Sequence, residues 1–270
     1  MSTAKTPIVL IHGLWMTPHS WRGWIDRYHA AGHVVHAPAW PGVCPLDQVL
    51  DHGQAPDDIG LLDVVDHYDA FVRSLPEPPI IIGHSLGGLV TQILLDRGLG
   101  RAGVALHPAS PRGVLRLPLS VWRATSPVFR DPGNRRRAVA LTAGEFHYAF
   151  ANTASRTESD RFHAEYAIPA PGRSLFEVAL ANLTPKSRAV TVVDYANRNR
   201  APLLLVAGDR DHLVPSSVVY ENFTRYRRSS APTDFKLYGD RPHLTALLDG
   251  WEDVADHALT WTARHIRTTR

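Results

Sequence analysis

The chain has 270 residues, 44% hydrophobic and 20% charged, a balance that fits a soluble globular protein and leaves ample material for a buried core. The net charge of +3 is carried mostly by scattered basic residues, with short runs at Arg135-Arg136-Arg137, Arg225/Arg227/Arg228 and Arg264/Arg267/Arg270, and no nucleic-acid-binding motif surrounds them. One cysteine, Cys44, excludes an internal disulfide and fits a reducing compartment, and no apolar run is long enough for a stable membrane insertion. With no apolar signal region before the first strand, the expected location is the cytoplasm. Oligomeric state is not legible.

The first apolar run, Ile8-Val9-Leu10-Ile11, predicts a central parallel strand that ends in the turn His12-Gly13-Leu14-Trp15. A helix is expected from about Pro18 to Ala31, stopped by Gly32, followed by a second strand at Val34-Val35-His36-Ala37. Residues from Val43 to Pro56 show no periodicity and read as loop. Asp57 or Asp58 is the expected cap of a helix whose apolar face is Leu61, Val65, Tyr68, Val72 and Leu75.

Next comes Pro79-Ile80-Ile81-Ile82-Gly83-His84-Ser85-Leu86-Gly87-Gly88, a buried strand running into a helix with apolar Leu86, Leu89, Val90, Ile93 and Leu94. A strand that becomes a helix within about two residues forces its corner residue into strained backbone geometry and needs glycine on either side for clearance. Ser85 is that corner, in a G-x-S-x-G elbow that holds its hydroxyl out beside the N-terminus of a helix. Another strand follows at Gly103-Val104-Ala105-Leu106-His107-Pro108. The strand–helix rhythm then stops until Pro202–Gly208, resuming with a helix from about Pro215 to Arg227 and a strand at Phe235–Tyr238. Asp249 and Glu252 have the spacing of a capping box for the last helix.

Strands alternating with helices predict an α/β fold with a doubly wound, mostly parallel sheet. The middle segment is rich in aromatics and broken by prolines. It reads as a mainly helical cap inserted after the strand ending near His107, so that residues 1–110 and 200–270 form the core and 111–199 the cap or lid.

A serine hydroxyl needs a general base, itself oriented by a carboxylate, and these partners belong on loops at the carboxyl ends of later strands. Gly208-Asp209-Arg210-Asp211 offers two aspartates, and Gly239-Asp240-Arg241-Pro242-His243 offers a histidine. His212, His257 and His265 are rivals in worse positions. On His12-Gly13, Gly83-His84-Ser85-Leu86-Gly87-Gly88, Gly208-x-x-Asp211-x-x-Val214-Pro215 and His243, the chain resembles the α/β-hydrolase fold superfamily outside the cap. It departs from many relatives in having Pro242, rather than glycine, before the histidine.

The resemblance implies a serine hydrolase with Ser85 as nucleophile, His243 as base and Asp211 as acid, Asp209 being a turn residue. The oxyanion hole would be the backbone N–H groups of Leu14 and Leu86. His12 is expected to tie down its own loop, and Trp15, Trp122 and Tyr148 are expected to line the substrate pocket. The expected substrate is a small apolar or ring-bearing ester or lactone. Alternatives on the same fold are carbon–carbon bond hydrolysis, cofactor-free perhydrolysis, acyl transfer, lyase chemistry, or a catalytically silent small-molecule binder. No phosphate loop or dinucleotide fingerprint is present, so no cofactor is expected. His29, His33 and His36 are four and three apart but are separated by Gly32 and a strand start, so they cannot share one helix face, and Glu145/His147 and His163/Glu165 lack a third ligand at a convincing spacing, so no metal is expected.

Overall fold

The computed structural model describes residues 5–45, 47 and 58–268. Its frame is a six-stranded, fully parallel sheet in the order β2-β1-β3-β4-β7-β8. The strands are β1 (Ile8–Ile11), β2 (Val35–His36), β3 (Ile80–His84), β4 (Ala102–Leu106), β7 (Leu203–Gly208) and β8 (Thr233–Tyr238). Both faces are covered, which is why the central strands read as continuous apolar runs rather than alternating ones.

Successive residues still divide between the faces. Val9, Ile11 and Ile81 pack beneath α2 (Leu61–Ser74), α3 (Leu86–Asp96) and α8 (Ser216–Arg225). Ile8, Leu10, Ile80 and Ile82 pack on the other side against α1 (Arg22–Ala30) and α9 (Trp251–Thr268), where Trp24, Tyr28 and Trp261 are buried. Each such side chain contributes roughly 1.5–3 kcal/mol by leaving water. The α/β fold with a parallel sheet is thus the one expected.

Between β4 and β7, which pair directly from Gly103 with Leu203 to Leu106 with Val206, lies the long middle segment. It holds α4 (Leu119–Phe129), α5 (Ala143–Phe150), α6 (Arg156–Tyr166) and α7 (Gly172–Ala179). It also holds a small antiparallel pair, β5 (Ala138–Val139) and β6 (Ala170–Pro171). Strands of two residues are too short to leave a pattern in the sequence.

Two helix starts differ from expectation. Gly60, not Asp58, precedes α2, and the carboxylate of Asp63 accepts the Gly60 N–H at 2.8 Å while Glu177 of α7 accepts the Leu61 N–H at 2.7 Å. Two of the orphan donors at the helix start are thus satisfied by acids in and beyond the first turn, and the cap position itself falls to a glycine. Asp57 lies outside the described residues, as does most of the stretch read as a loop before it. Helix α9 begins at Trp251, after Gly250 in a positive-φ conformation (80°), rather than in a box built on Asp249.

Candidate active site

Of the five non-glycine residues with positive φ among the described residues, four, Trp15, Ser85, His107 and Asp240, fall in loops just past the carboxyl ends of β1, β3, β4 and β8. Strain of this kind costs on the order of 1–3 kcal/mol per residue and gathers where function requires a fixed geometry.

At the centre is Ser85, with φ 55° and ψ −119°. Its backbone is pinned on both sides: its N–H donates to Leu106 O and its carbonyl accepts from Ala109, each at 2.9 Å. The two flanking glycines are required by contact. A Cβ on Gly83 would lie 2.0 Å from Gly87 O, and one on Gly87 would lie 2.2 Å from Ile11 O. Leu86 is the first residue of α3, so its N–H has no acceptor within the helix.

Behind the serine lies a buried polar cluster. Asp211 accepts the Leu213 and Val214 N–H groups on Oδ1, at 2.8 and 2.7 Å. On Oδ2 it accepts Nδ1–H of both His243 and His107, each at 2.7 Å. Burial alone would raise the Asp211 carboxyl, but the neighbouring His243 and the imidazole N–H donors hold it well below the ordinary carboxylate range. With their Nδ1 protons committed to Asp211, both imidazoles present Nε2 as a bare acceptor. Both Nε2 atoms are buried and make no hydrogen bond, so Ser85 and His243 are not hydrogen-bonded to one another in this structure.

His84, the residue before the serine, donates Nε2–H to the carbonyl of His243 at 2.8 Å and fixes the loop that carries it. Its burial, together with the adjacent His243 and His107, keeps it neutral by lowering its pKa well below the ordinary histidine value. Phe150 of α5 closes over His243, edge to face at 5.1 Å, and accepts the Leu244 N–H at 2.8 Å.

The sequence reading gave no role to His84 or His107. A signal existed for the second: a titratable residue at the carboxyl end of a central strand, on the edge that carries Ser85 and Asp211. His107, Asp211 and His243 also bring metal-ligand atoms within 4.8 Å of one another, yet both Nδ1 atoms are already engaged as donors to Asp211. Asp209 is exposed and lies 4.0 Å from Arg210.

A cavity of about 560 Å³ opens over the serine. Ser85, Leu14, Leu86 and Trp15 form its floor, and Trp122, Phe129 and Phe176 are among the middle-segment residues on its walls. Neither Asp211 nor His243 reaches this cavity. Trp15 also anchors the middle segment, donating Nε1–H to Val139 O at 2.9 Å and accepting the Ile168 N–H at 3.1 Å. Tyr148 is not in the lining: its ring lies against His212 at 4.6 Å and under Arg123 at 4.0 Å. The helix explains why, since Phe146 and Phe150 take the inward face one turn apart and Tyr148 sits midway between them. His12 holds its own loop, accepting the Trp40 N–H on Nε2 at 3.3 Å, contacting Gly13 O through Nδ1 at 3.0 Å and stacking on the Trp40 ring.

A model of the alpha/beta hydrolase family matches residues 8–257. The chain belongs to the alpha/beta hydrolase family. Among solved structures, this hydrolase-family chain is similar to a monoacylglycerol lipase of Paleococcus ferrophilus, at 20% identity and a TM-score of 0.65, covering 96% of each chain. It is similar to a methylesterase from Arabidopsis at 14% identity and a TM-score of 0.68, covering 96% of this chain and 99% of that one. A tomato methylketone synthase I in complex with 2-tridecanone matches at 16% identity and a TM-score of 0.68, covering 97% and 100%. At these identities the likeness is one of fold. A sequence search of curated proteins finds no significant match. Among the described residues, no helix is long and apolar enough to cross a membrane.

Proposed function

We propose that this member of the alpha/beta hydrolase family is a serine hydrolase that cleaves a small apolar or ring-bearing carboxylic ester or lactone through an acyl-enzyme on Ser85. The observation that carries the reading is the buried, unpartnered Nε2 of His243, held in its acceptor tautomer by Asp211 in the loops beside a serine on a strained elbow. An imidazole so arranged has a lone pair and lacks only a donor, and a serine hydroxyl that turns toward it supplies one.

In this mechanism Ser85 Oγ attacks the carbonyl carbon while His243 Nε2 takes its proton. Asp211 stabilises the imidazolium, and the backbone N–H groups of Leu86 and Leu14 hold the oxyanion. His243 then protonates the leaving alcohol. Water repeats the sequence on the acyl-enzyme to release the acid and restore Ser85. The apolar walls favour an apolar substrate, since few polar groups are available to orient anything else.

Residues 111–199 act as the cap in this reading. Phe150, Trp15 and the Val139 carbonyl fix α5 and the small β pair to the core, and Glu177 and Ser174 tie α7 to the start of α2, so any movement that admits substrate belongs to α4. The single cysteine fits a reducing compartment, and the enzyme is placed in the cytoplasm in this reading. The test is a panel of p-nitrophenyl esters and lactones with the natural chain and with Ser85→Ala. Turnover of acyl chains by the first and a loss of about 10⁴-fold or more in the second supports the reading. Full activity in the variant contradicts it.

A further inference from the structure

The mouth of the cavity carries apolar side chains that the fold leaves uncovered. Leu115 (70% exposed), Trp122 (56%), Leu183 (82%), Leu117 and Leu180 line it, and Leu119 (86%) stands beside them at the start of α4. Six of the ten large hydrophobic residues that are exposed among the described residues thus belong to two short stretches. Those stretches form one surface. Arg112 donates to Ala181 O at 3.0 Å, Gly113 N–H donates to Asn182 Oδ1 at 2.7 Å, and Asn182 Nδ2 returns a hydrogen bond to Val114 O at 2.7 Å. Isolated exposed leucines need no explanation, but a contiguous collar around a cavity mouth marks a contact surface.

The charges around the collar identify its partner. Residues 111–130 and 180–190 contain Arg112, Arg116, Arg123, Arg130, Lys186 and Arg188 and no acidic residue. Arg116, Arg123, Lys186 and Arg188 are exposed. The flanking acids are engaged: Glu221 of α8 by the Leu115 and Arg116 N–H groups and Arg225, Asp131 by Arg137 at 3.5 Å, and Glu177 by the Leu61 N–H and Arg173, while Arg130 pairs with Glu145 at 3.5 Å. An apolar surface fringed by cations fits the headgroups and acyl boundary of an anionic lipid layer. It fits a second copy of this chain poorly, because two such collars would bring like charges together.

We propose that the collar docks the cavity mouth onto an anionic lipid surface, so that apolar substrate passes from lipid to Ser85 without crossing water. Docking is peripheral and reversible; the delivery of substrate rests on the proposed function, while the docking itself does not.

The test uses the Ser85→Ala chain, so that no turnover alters the vesicles, in co-sedimentation with phosphatidylcholine vesicles with and without phosphatidylglycerol. Binding is expected to the anionic vesicles, to weaken as salt rises, and to blue-shift an emission component that Trp122→Phe removes. Lys186→Glu and Arg188→Glu each weaken binding roughly fivefold or more, and Leu119→Ser weakens it several-fold. None of these three residues lines the cavity, so in the Ser85 background the same changes leave hydrolysis of a short soluble ester unaltered. Failure to bind anionic vesicles, or binding indifferent to all three substitutions, overturns the proposal. A self-association that Leu119→Ser dissolves, without vesicle binding, overturns it in favour of a face between copies. Vesicle binding by a chain that turns over no ester would leave the docking proposal standing and remove the hydrolase reading.

Discussion

His107 shares with His243 a single oxygen of Asp211, each imidazole donating Nδ1–H to it at 2.7 Å. The carboxylate therefore divides its charge between a proposed base and a second, equally buried histidine. His107 acts here as a positioning residue. Gly208 makes room for its ring, a Cβ there coming within 2.8 Å of the ring carbon. In His107→Phe, the whole of that oxygen faces His243, so the acid limb of kcat/KM moves to higher pH. A lowered melting temperature with an unmoved limb would mean that His107 only packs.

Asp211→Asn is expected to lower kcat by roughly 10⁴-fold, because the amide no longer enforces the acceptor tautomer at Nε2. It also sets an NH₂ group among four N–H donors, so the melting temperature falls with it. Asp209→Asn, on an exposed side chain, is expected to leave kcat within a few-fold of the natural chain and the melting temperature nearly unchanged. Steady-state kinetics on one good ester decides, and the opposite ranking would move the acid to Asp209.

Burial lowers the pKa of His12 from the usual 6.5 to about 4 despite the contact with Gly13 O. Between these values the unfolded chain binds a proton that the folded chain does not, so stability is full above pH 6.5 and declines toward pH 4. The loss is on the order of 3 kcal/mol. His84 and His107, whose pKa values burial also lowers, add to it in the same direction. Denaturant melts across this range should show the decline, with a shallower slope in His12→Gln. An identical slope would show that His12 is not the source.

Gly87→Ala is expected to destabilise the fold by about 3 kcal/mol or more, because Ile11 O is backbone and has no way to retreat from the new methyl group. Gly239→Ala, with open space around it and no positive φ, is the control and should be nearly neutral. Equal melting temperatures for the two would show that the elbow tolerates bulk.

Much of this arrangement was legible from local rules. The elbow declares itself because its glycines and its strand–helix junction are neighbours in sequence, and Asp211 and His243 follow from loops at the ends of strands. His107 escaped because its partnership with Asp211 spans 104 residues and exists only once β4 and β7 pair. Beside a proline at a strand end, it reads as the strand's last residue. The direction of Tyr148 depends on which face of α5 the core claims, and aromatics at positions 146, 148 and 150 leave that choice open until packing settles it. Trp15, expected on the pocket wall, lies in the cavity lining and also within the hydrophobic core.

The central claim is that Ser85 is the nucleophile activated by His243. It is tested most directly by treating the chain with a fluorophosphonate and mapping the adduct by peptide mass spectrometry. Stoichiometric label is expected on Ser85, with labelling slowed by roughly 10³-fold or more in His243→Ala and no label in Ser85→Ala. Label on another residue, or undiminished labelling without the imidazole of His243, would contradict it.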